Sequence, residues 1–169
     1  LLIISTIYFS VLPLISLINF IRFLFALGLS WTLIKNKNLQ SKFLIGLAIG
    51  VVWSSLLAIG QFAYQGTVLG WKFFGEPIFS LGTGGIKKLT LLGFEFLAPM
   101  ATFPHANVMG AFGLLTFILF NNKKLKIFKI AKFFSLILAV LSFSIPIYLG
   151  LAYLLITQVV SEKKRLVFC

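Results

Sequence analysis

Apolar runs of 16–21 residues, divided by short basic clusters, recur along this chain and constrain its fold more than any other feature. LISLINFIRFLFALGLSWTLI (14–34) and FLIGLAIGVVWSSLLAIGQFA (43–63) each match the length a helix needs to cross the hydrocarbon core of a bilayer. The runs are separated by KNKNLQSK (35–42) and later by NNKKLKIFKIAK (121–132). With 60% hydrophobic residues and a mean hydropathy of +1.08, a soluble domain of 169 residues could not hide this apolar surface. The expected fold class is all-α: a polytopic integral membrane helical bundle, about five spans plus the end of a preceding one, forming a single transmembrane domain.

The net charge of +12 is spread through the breaks between apolar runs rather than along one face. Membrane topology explains that spacing better than nucleic-acid binding does, so no nucleic-acid partner is expected. The single cysteine, Cys169, excludes an internal disulfide, and no His/Cys/Asp cluster has metal-ligand spacing, so neither metal nor cofactor is expected. The chain opens at Leu1 inside an apolar run without a signal-peptide pattern, which reads as an internal fragment of a longer protein.

Residues 1–12 read as the end of a span, closed by Pro13. Spans are expected at 14–34, 43–63, 104–120, 127–143 and 145–160. Between them, 64–103 holds seven of the fourteen glycines and many aromatics, and reads as a loop lying on the membrane surface. The apolar region 127–160 would be one long tilted helix or a hairpin broken at Ser144-Ile145-Pro146. The hairpin places eleven basic residues on one side and Lys72, Lys87 and Lys88 on the other. By the positive-inside rule the eleven are cytoplasmic, and the 64–103 loop faces outward. The expected location is the cytoplasmic (inner) membrane, multi-pass.

GQFAYQGTVLGWKFFGEPIF (60–79), followed by FLAPMATFPHANVMGAF (96–112), resembles the bacterial O-antigen ligase and O-antigen polymerase family. Its pattern Arg-x-x-Gly-Thr-Phe-x-x-Pro-Asn falls on residues 98–107, where Thr102, Phe103 and Asn107 match. Ala98, Ala101 and Ala106 stand where the pattern has Arg, Gly and Pro. A second signature, Thr-Phe-Ser-Arg, falls on Ser142-Phe143-Ser144-Ile145. The resemblance implies a membrane glycosyltransferase acting at the outer face of the cytoplasmic membrane. Its partners would be membrane lipids, a polyprenyl-diphosphate-linked glycan donor and a glycan or lipid acceptor, joined by inverting attack of a sugar hydroxyl. Such transfer needs cations on the diphosphate, and Ala98 and Ile145 supply none, so weak or absent activity is expected. The rival is a non-catalytic membrane protein: a decayed member, a scaffold or a transport component. A permease would want Gly- or Pro-broken spans in a repeated arrangement, and no repeat is visible.

The candidate catalytic residues are His105, the one imidazole in the chain and able to act as a general base, and Glu76 in the outward loop. The candidate substrate-binding residues are Arg22, Lys87, Lys88 and Asn107. Arg22, roughly 12 Å into its span by helix rise, is either a cation for the donor or a structural partner of Asn19. Asn107 near a helix start is either a contact to substrate or a cap. Glu95 is a weaker base candidate, and GTGG (82–85) before the two lysines lacks the spacing of a phosphate loop.

Overall fold

The structure is a computed structural model that describes residues 13–70, 75–91 and 93–167. The expected end of a span at 1–12, together with Trp71, Lys72, Phe73 and Phe74, lies outside the described residues. Among the described residues the chain is mostly helical, with α1 at Pro13–Lys35, α2 at Lys37–Tyr64, α3 at Ala106–Asn121, α4 at Lys126–Leu141 and α5 at Ile145–Val167. Two helices are long and apolar enough to cross a membrane, over Leu17–Lys35 and Lys37–Tyr64. Ala106–Asn121 and Ile145–Thr157 are shorter apolar helices.

The chain divides into two compact units, the first ending at Leu44 and the second running from Ile45. In the first, α1 presents Leu14, Phe25, Trp31 and Ile34 to its surroundings. The Lys35 ammonium lies 4.5 Å from the centroid of the Trp31 ring. Asn36 interrupts the helical run, and its Oδ1 accepts from the Asn38 and Leu39 N–H groups, both at 3.1 Å. That N-cap starts α2 at Lys37, ahead of the apolar run, because polar Asn, Gln and Lys need no apolar partner in a capped first turn.

The second unit buries small and polar side chains together with Phe117, Phe120, Phe128 and Leu138. Ser54, Ser55, Gln61, Thr116, Ser135 and Ser142 are buried, whereas Trp53, Leu56, Leu115, Phe133, Leu149 and Tyr153 are exposed. Gly113 lets α3 and α4 touch: a Cβ there would lie 2.8 Å from both Ser135 O and Ala139 N. Beside it the Thr116 and Ser135 hydroxyls hydrogen-bond at 2.9 Å. Ser55 Oγ donates to Phe134 O at 2.8 Å and joins α2 to α4. Small residues at the crossing and hydroxyls between helices are how helices associate where the solvent is as apolar as leucine.

The stretch 64–103, expected to be a surface loop, holds the one sheet among the described residues. It is an antiparallel hairpin of β1 (Lys88–Leu91) and β2 (Phe94–Leu97), in register Lys88 with Leu97 and Leu91 with Phe94. Gly93, with φ 86°, supplies the left-handed turn residue. Phe79, Leu97, Ala98, Met100 and Ala106 form a buried cluster against which Ile86 and Phe143 pack. The all-α expectation therefore missed a small β element with a core of its own.

Candidate functional site

The site is built at one end of the α2–α3–α4 cluster, where three irregular segments converge. In the first, the backbone ladder of the hairpin continues one pair beyond β1, as Ala98 N–H donates to Lys87 O at 3.0 Å. Because strand side chains alternate, Lys87 and Leu89 share one face of the hairpin, and Lys88 and Thr90 the other. On that second face Lys88 meets Glu95 at 3.6 Å, an exposed pair worth little.

The second segment is the entry to α3. His105 is its N-cap, extended at φ −155° and ψ 144°, and its Nδ1 accepts from Asn107 N–H at a long 3.5 Å. The third is the turn between α4 and α5, where Ser142 caps α4 and Phe143 adopts φ 47°. Ser144 O then accepts from Tyr148 N–H at 3.0 Å as α5 begins. Pro146 falls in that first turn, where its missing N–H costs no helical bond. A Cβ on Gly110 would meet the Ser142 side chain at 2.4–2.5 Å, so glycine is what lets this turn approach α3.

Lys87 joins all three segments. Its Nζ donates to Asn107 Oδ1 at 3.1 Å, to Ser142 O at 3.2 Å and to Phe143 O. The last two are carbonyls at the negative end of α4, a favourable place for a cation. Among the described residues no carboxylate lies within ion-pair distance of Lys87. Burial pushes its amine below the usual lysine range. Lys87, Asn107 and His105 are thus brought together, while Lys88 points away.

Glu76 is buried and plays another part. Its Oε1 accepts from Val68 N–H at 2.7 Å and from Gln61 Nε2 at 3.0 Å. Its Oε2 accepts from Leu69 N–H at 2.9 Å and Gly70 N–H at 3.1 Å. Burial alone would raise its pKa, but the Val68 N–H, the Gln61 amide and the Leu69 and Gly70 N–H groups outweigh that and hold the carboxyl below its ordinary range. A carboxylate with four donors and a depressed pKa is a poor proton acceptor, so its role here is to anchor the loop. Arg22, on α1 in the first unit, is exposed and donates to Asn19 Oδ1 at 3.5 Å, the structural partner weighed for it from sequence.

Gln61 and Gln65 were not singled out from sequence. Gln61 Oε1 accepts from Met100 and Ala101 N–H at 3.0 and 2.8 Å, and its Nε2 also donates to Ala101 O at 3.1 Å. Gln65 Oε1 accepts from Leu97 N–H at 2.7 Å. The available signal was two glutamines four residues apart at the end of an apolar run, polar side chains in need of partners there, although Gln65 itself lies just past α2 with φ 56°. Next to Lys87 lies a cavity of about 180 Å³ lined by Phe62, Leu89, Thr90, Phe96 and Phe143. Among the described residues no group of three or more His, Cys, Asp or Glu side chains is placed to hold a metal ion. No family model, curated protein or solved structure matches this chain.

Proposed function

We propose that this chain is a membrane-spanning part of an O-antigen ligase- or polymerase-like protein that transfers glycan from a polyprenyl-diphosphate carrier at the outer face of the cytoplasmic membrane. The observation that carries the reading is the convergence on Lys87. Two of the segments that bear the resemblance, 98–107 and 142–145, lie far apart in sequence. They nonetheless supply Asn107 Oδ1, Ser142 O and Phe143 O to a single ammonium. Backbone geometry adds support. Ala101, where the resembling pattern has glycine, holds φ 52°, in the left-handed region that favours glycine. Ala106, where the pattern has proline, is the first residue of α3, the helical position that best accepts proline.

In this reading Lys87 is the cation for the donor, replacing guanidinium groups absent at Ala98 and Ile145. Asn107 orients it, and His105 takes the proton from the acceptor hydroxyl. The test is glycan transfer from a polyprenyl-diphosphate donor in membranes containing the protein. Lys87→Gln is expected to lower the rate on the order of 10²–10³ relative to the parent, with Lys87→Arg retaining much of it. His105→Ala should lower it without loss of expression. With Lys87 as the replacing cation the parent is expected to show transfer, where Ala98 and Ile145 read alone imply little or none. A parent with no transfer, or a Lys87→Gln variant with full transfer, would overturn the reading. A second reading, a non-catalytic membrane protein that keeps the fold, is favoured by Ala98 being fully enclosed. An arginine there would have to enter the cluster of Phe79, Leu97 and Met100.

A further inference from the structure

The Lys87 ammonium and the adjoining cavity form one amphiphilic unit. Leu89 follows Lys87 on the same face of the hairpin and lines the cavity. Phe143 lines it with its side chain while its carbonyl accepts from Lys87. A half-open cavity of about 180 Å³ with mostly aromatic and aliphatic walls has room for a short run of hydrocarbon, since a void of about 150 Å³ holds a benzene.

The polar end is net positive. The end of α4 offsets roughly half of the lysine charge, while the starts of α3 and α5, neither with an acidic residue in its first turn, each return about the same amount. The neighbouring charges are already engaged: Lys88 is paired with Glu95, and the Glu76 carboxylate is bound by its loop. The three N–H groups of Lys87 are directed at neutral oxygens, so its pull on an anion is chiefly Coulombic, and half-burial weakens the screening. With Asn107 Oδ1 turned to Lys87, the NH₂ of that amide is the donor left for a phosphate oxygen.

We propose that Lys87, Asn107 and the Phe62–Leu89–Phe96–Phe143 cavity bind a lipid bearing a single phosphodiester, with a segment of its acyl chain in the cavity. A phosphodiester carries one negative charge, which one ammonium balances without a second cation, whereas the diphosphate of the donor proposed above would share this site and need its further charge met from elsewhere. The inference rests on the function proposed above only for the side of the membrane the site faces.

The experiment is thermal unfolding of the chain in a maltoside detergent, which contains no phosphate. Three probes are titrated separately: dihexanoylphosphatidylglycerol, neutral dihexanoylglycerol and inorganic phosphate. A ligand that binds only the folded state raises the midpoint with concentration. The phosphatidylglycerol is expected to raise it and the other two are not. Lys87→Gln should weaken that binding on the order of tenfold to a hundredfold, Lys87→Arg should retain it, and Leu89→Trp should lose it by filling the cavity. Equal shifts with the neutral lipid, a matching effect of inorganic phosphate, or undiminished binding by Lys87→Gln would each overturn the site. Should Lys87→Gln not fold, Leu89→Trp decides, because it keeps the cation: loss of the shift supports the site, and a full shift overturns it. The readout is binding, so its failure is distinct from a failure of glycan transfer.

Discussion

Glu76 and Lys87 are both ionisable and both withdrawn from water, and opposite kinds of partner hold them. The carboxylate takes N–H donors from Val68, Leu69 and Gly70, and the ammonium takes oxygens from Asn107, Ser142 and Phe143. Glu76→Gln would place an NH₂ among groups that are themselves donors, with an expected loss of about 2 kcal/mol of stability. Because the folded pKa of Glu76 lies below its ordinary value, the stability it adds is fully present above that ordinary value, near 4.3. It is lost as pH falls through the depressed one. Urea unfolding of parent and variant should therefore differ most near neutral pH and converge in acid. A constant gap down to low pH would mean that the charge of Glu76 is not what binds the loop. From sequence Glu76 reads as a candidate base in an outward loop, since VLG (68–70) bears no mark that its three N–H groups point one way. Lys87 and Lys88 read as a pair, and only the alternation of a strand, invisible until the hairpin is known, separates their roles.

At the scale of elements, the apolar runs lie on helices because length and composition leave little choice, and Pro13, Asn36 and Pro146 mark helix starts that local chemistry explains. The hairpin was harder to see. Its strands have four residues each, and KLTL and FEFL flanking a Leu-Gly turn are easily absorbed into an aromatic surface loop. The contact between α3 and α4 was not legible either, because a glycine in an apolar helix does not announce which backbone will approach it. Gly113→Ala puts a methyl group 2.8 Å from two backbone atoms of α4, which cannot yield as a flexible side chain would. An expected loss of about 1–3 kcal/mol follows from overpacking. Gly50→Ala, with nothing within 4 Å of the added carbon, should be neutral or gain up to about 1 kcal/mol from helix propensity. Thermal unfolding in detergent separates the two, and equal midpoints would refute the close crossing.

For the molecule as a whole, the second unit buries hydroxyls and amides beside Phe117, Phe120, Phe128 and Leu138 yet leaves Leu115, Phe133, Leu149 and Tyr153 exposed, an apolar exterior that a bilayer would cover. Helices α3 and α4 have 16 residues each, about 24 Å by helix rise, short of the roughly 30 Å of a typical hydrocarbon core. The irregular segment 98–101 is itself buried, with the Met100 and Ala101 N–H groups and the Ala101 carbonyl met by Gln61 and the preceding Leu97 N–H by Gln65, which is how non-helical backbone away from water is tolerated. The hairpin and the 142–144 turn share one end of this unit through Lys87, and the lysine-rich 121–132 stretch joins α3 to α4 at the other. In the proposed topology, charge bias would put the lysine-rich end in the cytoplasm, the 142–144 turn outside, and the end of α5 back on the cytoplasmic side. With Cys169 replaced by serine, single cysteines at positions 84, 124 and 163 read out each part of that assignment. A membrane-impermeant maleimide on intact cells should label Gly84→Cys, while Lys124→Cys and Lys163→Cys react only after permeabilisation. Labelling of position 163 from outside with 124 protected would mean that α5 does not return, and would overturn the paired crossing of α4 and α5. Protection of position 84 with 124 exposed would invert the unit and place Lys87 on the cytoplasmic face, away from any glycan assembled outside.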